Sequence, residues 1–470
     1  MDQLGISYLT LDRSADTLSG GEAQRVRFAA QLGSNLRGAC YILDEPTIGL
    51  HPRDNKRLIT ALKELRDRGN TVLVVEHDEE TIKSADHIID IGPGPGADGG
   101  RIVAQGGLED IKRTESSITG RYIDIPHKLT SRLRPYKDRP SVKVLGAHEH
   151  NLRHIDVEFP LGLLICITGV SGSGKSTLVK DVLLKGLSQR LDRNELGAKC
   201  RDILGWELIN RVMEVDHSPI GKTPRSVPAS YIGILSYIRK LFSISPDSRA
   251  RGYKPGRFSF NVKGGRCEEC KGFGYVKVSM SFLPDVYIRC EVCNGSRFNN
   301  ETLEIEYKGK NISQVLDMTF EEARGFFSAI PYLYKKISLV CDVGLGYLRL
   351  GQPSPTLSGG EAQRIKLVKE LSKASNGHTL YILDEPTTGL HIADIRRLLD
   401  TLHSIVDKGN TIILIEHNLE VIKEADYIID LGPEGGKRGG ELIFAGSPVD
   451  LLEFKAISYT ADALRNYLKD

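Results

Sequence analysis

Residues 169–177 read GVSGSGKST, and Gly169, Gly174, Lys175 and Ser176 fit the spacing G-x-x-x-x-G-K-[ST]. The apolar run LLICIT precedes them and STLVKDVLL follows, which predicts a turn between a strand and a helix. In such a turn the backbone N–H groups around Ser171, Gly172, Ser173, Gly174 and Thr177 can cradle phosphate. Lys175 then reaches the outer phosphates and the Ser176 hydroxyl suits Mg²⁺. The competing reading is a glycine-rich turn with no ligand. Two carboxylates, Asp384 and Glu385, close the apolar run TLYIL, at the carboxyl end of a strand where α/β proteins bind ligands. Asp384 suits Mg²⁺, and Glu385 suits orienting or deprotonating a water; a plain Asp-Glu-Pro turn is the alternative. His417 ends the next apolar run, IILIE, and is placed to touch a terminal phosphate.

A second constellation lies between these motifs. Cys267-x₂-Cys270 is followed, after 19 residues, by Cys290-x₂-Cys293. Two such knuckles can wrap one tetrahedral Zn²⁺, and four thiolates leave no open position, so the metal would be structural. Redox pairs are the alternative. Residues 251–297 carry nine Lys/Arg against four acids, in a chain whose formal charge is only +2. Lys254, Arg257, Lys263 and Arg266 stand among aromatic residues there, which is either a solvated basic face or a nucleic-acid contact.

The elements that must position these residues occur twice. LSGGEAQR stands at 18–25 and again at 357–364, YILDEPTIGLH at 41–51 meets YILDEPTTGLH at 381–391, and GNTVLVVEHD at 69–78 meets GNTIILIEHN at 409–418. The offset is 339 residues at the first pair and 340 at the others. Asp44, Glu45 and His77 are therefore the first-copy counterparts of Asp384, Glu385 and His417. Short apolar runs alternating with amphipathic helices predict a parallel α/β sheet in each copy. Ser19-x-x-Glu22 and Ser358-x-x-Glu361 read as capping boxes. That leaves Gly20, Gly21, Gly359 and Gly360 to explain, since each glycine costs a helix about 1 kcal/mol relative to Ala. A helix N-terminus bared in this way is an anion site.

The spacing divides the chain into a first module at 1–111, a polar linker at 112–140 and a second module at 141–470. The second carries an insertion at 190–345, with the zinc module at about 260–300. The phosphate loop has no twin in the first module, so strand 41–46 is expected to lack a sheet neighbour and the first lobe to be marginal or completed by another chain. The start lacks a secretory pattern, no apolar run approaches the ~20 residues of a membrane span, and a cytoplasmic protein is expected.

Phosphate loop, LSGGE, LDEP and strand-end His together resemble the ATP-binding-cassette ATPases. More narrowly, LSGGEAQR, YILDEPTTGLH, FLPDVY, GGRCEEC and ELIFAGSP are similar to the UvrA family of excinuclease proteins. The resemblance covers the end of that family's first module and its whole second module. It implies a P-loop ATPase fold with one partial and one complete module, ATP and Mg²⁺ as ligands, and structural Zn²⁺. It implies ATP hydrolysis coupled to recognition of damaged double-stranded DNA in nucleotide excision repair, no nuclease activity of its own, and a homodimer. Modules of this class pack head to tail. Lys175, Asp384, Glu385 and His417 would then face Ser19, Gly20 and Gly21, while Ser358, Gly359 and Gly360 would face a loop absent here or one from a second protomer. Lys254, Arg257, Lys263 and Arg266 become DNA contacts. His217, in VDHSPIG, stands where the family usually has a glutamine near the attacking water. The helicase-like excinuclease protein UvrB is the family's partner, although the insertion that docks it has no counterpart here. A DNA-binding fragment without catalysis, and a component of a transport ATPase, are the other two readings.

Overall fold

The computed structural model describes every residue except 1–3, 7, 10, 13, 15–19, 34–35, 95, 97–98, 124, 130–131, 279–285, 374–377 and 470. For 20–21, 32, 277–278 and 286–287 only the backbone is described. The chain forms two compact units, one of Met1–Asp216 with Ser375–Asp470 and one of His217–Ala374. The second unit thus spans 217–374, where the motif spacing predicts an insertion at 190–345. Arg211–Val215 is an edge strand of the first unit's main sheet, and the second signature helix belongs to the second unit.

In the first unit, the second module is built on a six-stranded sheet. Its order is Glu441–Gly446, Tyr427–Gly432, Leu164–Gly169, Thr411–Ile415, Thr379–Asp384, Arg211–Val215, all parallel except the first pair. LICITG, TIILI and YIIDLG are buried along their whole length, which is why they read as unbroken apolar runs. One face is covered by helical segments Thr177–Leu184 and Lys185–Leu191, whose Val179, Val182, Leu183 and Leu187 pack on Ile382, Ile413, Ile415, Ile429 and Leu431. A smaller antiparallel sheet, Ile155–Pro160, Ser141–Ala147, Asp202–Leu204, completes this module.

The first module repeats these strands without their cover. Cys40–Asp44 pairs in parallel with Thr71–Val75, and Ile88–Gly92 pairs antiparallel with Arg101–Gly106. Among the described residues no strand fills the place that Leu164–Gly169 takes between their counterparts, and Cys40–Asp44 pairs on one side only. The edge expected at 41–46 is open, but not through the absent phosphate-loop strand: in the complete module Arg211–Val215 takes that side of Thr379–Asp384, whereas Leu164–Gly169 lies between Thr411–Ile415 and Tyr427–Gly432. Matching positions therefore meet different burial: Ile42 is 70% exposed where Ile382 is 0%, and Ile91 is 66% exposed where Leu431 is 1%. The repeat also extends beyond the first module's expected end at 111. Within the segment read as linker, Ile118–Ile123 is a helix that corresponds to the start of Tyr459–Tyr467.

The second unit has its own core, in which Phe242, Phe258, Phe260, Phe298, Phe320 and Phe327 are fully buried. Between the two cysteine pairs, Tyr275–Val278 and Val286–Arg289 form an antiparallel hairpin. Ser358 caps Gly359–Leu371 through the expected box: its side chain accepts from Glu361 N at 3.2 Å, and its own N–H donates to Glu361 Oε2 at 2.7 Å. Among the described residues no helix is long and apolar enough to cross a membrane.

The contrast between the two modules predicts unequal costs for equivalent substitutions. Ile382→Ala should destabilise by about 2–5 kcal/mol and Ile42→Ala by about 0.5 kcal/mol or less, read as shifts of the chemical denaturation midpoint. Equal losses would mean that something covers Ile42.

Candidate functional site: a phosphate loop closed by a repeated loop

The phosphate loop joins Leu164–Gly169, buried throughout, to the helical segment starting at Thr177. Lys175 is buried and folds back, its Nζ donating to the carbonyls of Gly169 and Val170 at 2.9 Å each. Burial lowers its pKa to about 8, against the pull of Glu385, Asp384 and Asp430. The Ser173 hydroxyl is buried without a hydrogen-bond partner, whereas Ser176 is exposed. Asp384 ends its strand with Oδ2 2.8 Å from Lys180 Nζ, and that ammonium also lies 3.2 Å from Glu214. Glu385 follows in the left-handed region at φ 44°, a strained backbone of the kind that proteins keep at functional sites. Glu45 repeats the conformation at φ 46°.

Glu385 is half-buried and His417 buried, with contrasting consequences. Burial raises the Glu385 carboxyl to about 7, with Asp384 and Glu416 adding to the shift and Lys175 and Arg25 opposing it. Burial, Lys175, His51 and Arg25 hold His417 well below the usual imidazole range, so the ring is neutral. Its Nδ1 has no hydrogen-bond partner. An orphaned buried nitrogen beside a buried lysine is chemistry that fits a phosphate oxygen. Glu416, between them in sequence and space, accepts from Thr387 N at 3.0 Å and Oγ1 at 2.6 Å, and from the backbone N–H groups of His417 and Asn418. Glu76 makes the same four contacts with Thr47, His77 and Asp78. These two glutamates brace the turns after the carboxylates. Their repetition in GNTVLVVEHD and GNTIILIEHN is the sequence signal that marks them.

The first module closes this site with the loop 47–51. The Gly49 carbonyl accepts from Ser171 Oγ, of the phosphate loop, at 3.0 Å. Gly49 has φ +67°, and a Cβ on it would stand 3.1 Å from Glu385 Oε1, so only glycine lets the carboxylate lie this close. The relation is reciprocal, since a Cβ on Gly389 would stand 3.1 Å from Glu45 Oε1. Arg25, on the first signature helix Gly20–Leu32, is buried with its Nη1 donating to Ile48 O at 2.9 Å. Its charge reaches Glu385 and His417. Tyr8 lies against phosphate-loop Gly172 and donates to Glu22 at 2.5 Å, as Tyr347 donates to Glu361 at 2.6 Å. A cavity of about 450 Å³ is lined by Glu45, His77, Gly49, Glu385, Gly389 and His417, thus by both carboxylate–histidine pairs.

Ser19 lies outside the described residues, and the backbone of Gly20 and Gly21 opens the helix that carries Arg25. In the second unit, His217 is grouped with the other signature: a Cβ on Gly359 would stand 3.4 Å from His217 Cβ. Gly360 is buried.

The four cysteines converge as expected. All four sulfurs lie within 4.8 Å of one another, with Cys267–Cys290 at 3.9 Å and Cys270–Cys293 at 3.6 Å. A tetrahedral Zn²⁺ with bonds of about 2.3 Å needs sulfurs about 3.8 Å apart, so the set fits the metal and is too open for disulfides. The Cys270 thiol accepts from Gly274 N at 3.2 Å. Gly272, at φ +80°, has no room for a side chain, since a Cβ would stand 1.8 Å from Phe260 O. Of the four candidate DNA contacts, Lys254 and Lys263 are exposed. Arg257 is held by Glu301, Thr302 and the Tyr253 ring, and Arg266 by Glu268. The aromatic residues of this segment are engaged in packing: Tyr253 lies under Arg257, and Phe258 and Phe260 are in the buried core.

The raised Glu385 pKa has a signed consequence for stability. Below pH 4.5 the group is protonated in both folded and unfolded chains, and between there and about 7 only the folded chain keeps its proton. Its contribution to stability is therefore lost as pH rises through this window. Glu385→Gln should be more stable than the parent above about pH 7, with the two converging below 4.5. Parallel pH–stability curves would contradict the burial.

No family model matches the chain. It is 57% identical over 470 residues to UvrABC system protein A of Aquifex aeolicus, covering 99% of this chain and 50% of that protein. For the protein of the same name from Methanothermobacter thermautotrophicus the figures are 58% identity, 99% and 48%. The chain thus spans about half the length of these relatives. The crystal structure of UvrA2 from Deinococcus radiodurans matches with a TM-score of 0.92 at 47% identity, over 99% of this chain and 56% of that one. ABCE1 in the archaeal ribosome-bound Pelota complex matches at a TM-score of 0.52 and 20% identity, which shows a shared fold alone. With the α/β fold, the duplicated modules and the four-cysteine cluster in place, the chain belongs to the UvrA family of ATP-binding-cassette proteins.

Proposed function

We propose that the chain is an ATP-hydrolysing, DNA-binding part of nucleotide excision repair with one complete ATP site. The observation that carries this is the closure of the Lys175 phosphate loop by the first module's loop 47–51. Lys175 and the loop N–H groups of Ser171–Thr177 hold the phosphates, Ser176 and Asp384 hold Mg²⁺, and Ser19, Gly20 and Gly21 complete the site from the first module. Mg²⁺, when bound, supplies neutralisation of the phosphate oxygens. Glu385, with its carboxyl near 7, takes the proton of the attacking water. His417, neutral, offers Nδ1 to the terminal phosphate. Ser358, Gly359 and Gly360 serve a phosphate loop supplied from elsewhere or by a second protomer, while His217, in the family's glutamine position, attends the attacking water. Asp44, Glu45 and His77 belong to that second site.

The four cysteines hold Zn²⁺ as a structural ion, and Lys254 and Lys263 contact DNA phosphates. Salt-sensitive, sequence-tolerant binding follows from such contacts, and this suits a sensor of DNA shape. A homodimer, UvrB as the family's excinuclease partner and a cytoplasmic setting complete the reading. Lys175→Ala should lower ATP turnover at least about 100-fold while bound zinc, measured by metal analysis, stays at parental content. Turnover that survives the change would overturn the assignment.

A further inference from the structure

Both modules carry one more repeated network, which the ATP site as described does not use. His51 closes the loop 47–51, and its Nδ1 accepts from Arg53 N at 3.2 Å, capping the helix Pro52–Asp67. The proton of the neutral ring is thereby placed on Nε2, which donates to Thr460 Oγ1 at 3.2 Å, 409 residues away. Thr460 donates to Asp430 Oδ1 at 2.8 Å, and Thr168 donates to the same oxygen at 2.8 Å. Ser458 donates to the other oxygen at 2.7 Å. Thr168 is the cross-strand partner of Asp430 and directly precedes Gly169. All these side chains are buried, and His51 is held down to a pKa of about 3 by burial, Lys175 and Arg53, which keeps it a neutral donor.

The other module repeats the arrangement. His391 Nδ1 accepts from Ala393 N at 3.2 Å and Nε2 stands 3.3 Å from Thr119 Oγ1. Thr119 and Ser117 donate to Asp90 at 3.0 and 2.6 Å. Each loop histidine therefore reaches into the opposite module and grips a Thr–Asp pair. Among the described residues, only the His51 copy has a threonine from the strand leading into the phosphate loop, Thr168, on its aspartate. Only that copy is reinforced by Arg53, which pairs with Glu434 at 3.0 Å and lies 4.2 Å over the Tyr459 ring. Ala393 occupies the equivalent place in the repeat.

We propose that His51 is a positioning residue for ATP hydrolysis: through Thr460 and Asp430 it locks the first module's loop 47–51 to the strand that carries the second module's phosphate loop. The loop is then held at two points, Gly49 on Ser171 and His51 on the Thr460–Asp430–Thr168 chain, with Glu385 against Gly49 between them. Loss of the second point frees Gly49 and Glu385 to move relative to Lys175. Binding through the phosphate loop itself is untouched, so the loss falls on kcat more than on KM. The inference rests on the ATP site proposed above.

Steady-state ATPase kinetics of the whole chain test it. His51→Ala should lower kcat about 10-fold, with KM for ATP changed by less than about twofold. His51→Gln, whose amide can donate near the Nε2 position, should recover most of the loss. Thr460→Val should match His51→Ala, and the double variant should be no worse than either alone, as expected for one shared contact. Should His51→Ala not fold, Thr460→Val against Thr460→Ser reads the same contact, since valine keeps the shape and serine keeps the hydroxyl. Parental kcat in Thr460→Val, or additive losses in the double variant, would overturn the interlock while leaving the ATP site standing. A parental chain without Lys175-dependent turnover would overturn both.

Discussion

A phosphate loop is a concave patch of N–H groups open to water, and the chemistry expected of this one depends on what covers it. Here the cover is the loop 47–51, brought in by the other copy of a duplicated module. Its contacts are few: the Ser171–Gly49 and His51–Thr460 hydrogen bonds and the approach of Gly49 to the Glu385 carboxylate. Burial around that contact raises Glu385, lowers Lys175 and keeps His417 neutral. Without the closure these groups would face solvent and revert toward ordinary acids and bases.

Duplication explains why closure is reciprocal and why it is unequal. Gly389 meets Glu45 as Gly49 meets Glu385, and Glu76 repeats the bracing of Glu416. Yet the apolar strand face that Val179, Val182, Leu183 and Leu187 cover in the second module is exposed in the first. The same residues serve as core in one copy and as surface in the other. A sheet with an exposed apolar face and a one-sided strand can still present its loops correctly when those loops are anchored on a complete neighbour. The anchoring comes from glycine approaches and from polar side chains crossing between modules, with apolar burial confined largely within each module.

Much of this is legible in the residues. The phosphate loop, Asp384–Glu385, the strand-end histidines and the paired cysteines announce themselves because local spacing carries their chemistry. Strand and helix order follows from apolar periodicity. What escapes a reading of the sequence is set by partners distant along the chain. Arg25 is an ordinary helix arginine until its charge is found beside Glu385, and Gly49 an ordinary turn glycine until a carboxylate is found against it. The helix Ile118–Ile123 lies in a segment whose polarity suggests a linker. Arg257 and Arg266 count as free positive charge in the sequence, but local acids hold both. Charge counts along a sequence cannot register such pairing.

The proposed ATP site depends on completion of the phosphate loop within one chain, by the first of two identical signatures. Introducing arginine at the equivalent serines, Ser19→Arg and Ser358→Arg, and comparing ATP turnover tests it most directly. Ser19→Arg should stop hydrolysis and Ser358→Arg should leave it close to parental. Hydrolysis stopped by Ser358→Arg and spared by Ser19→Arg would contradict it.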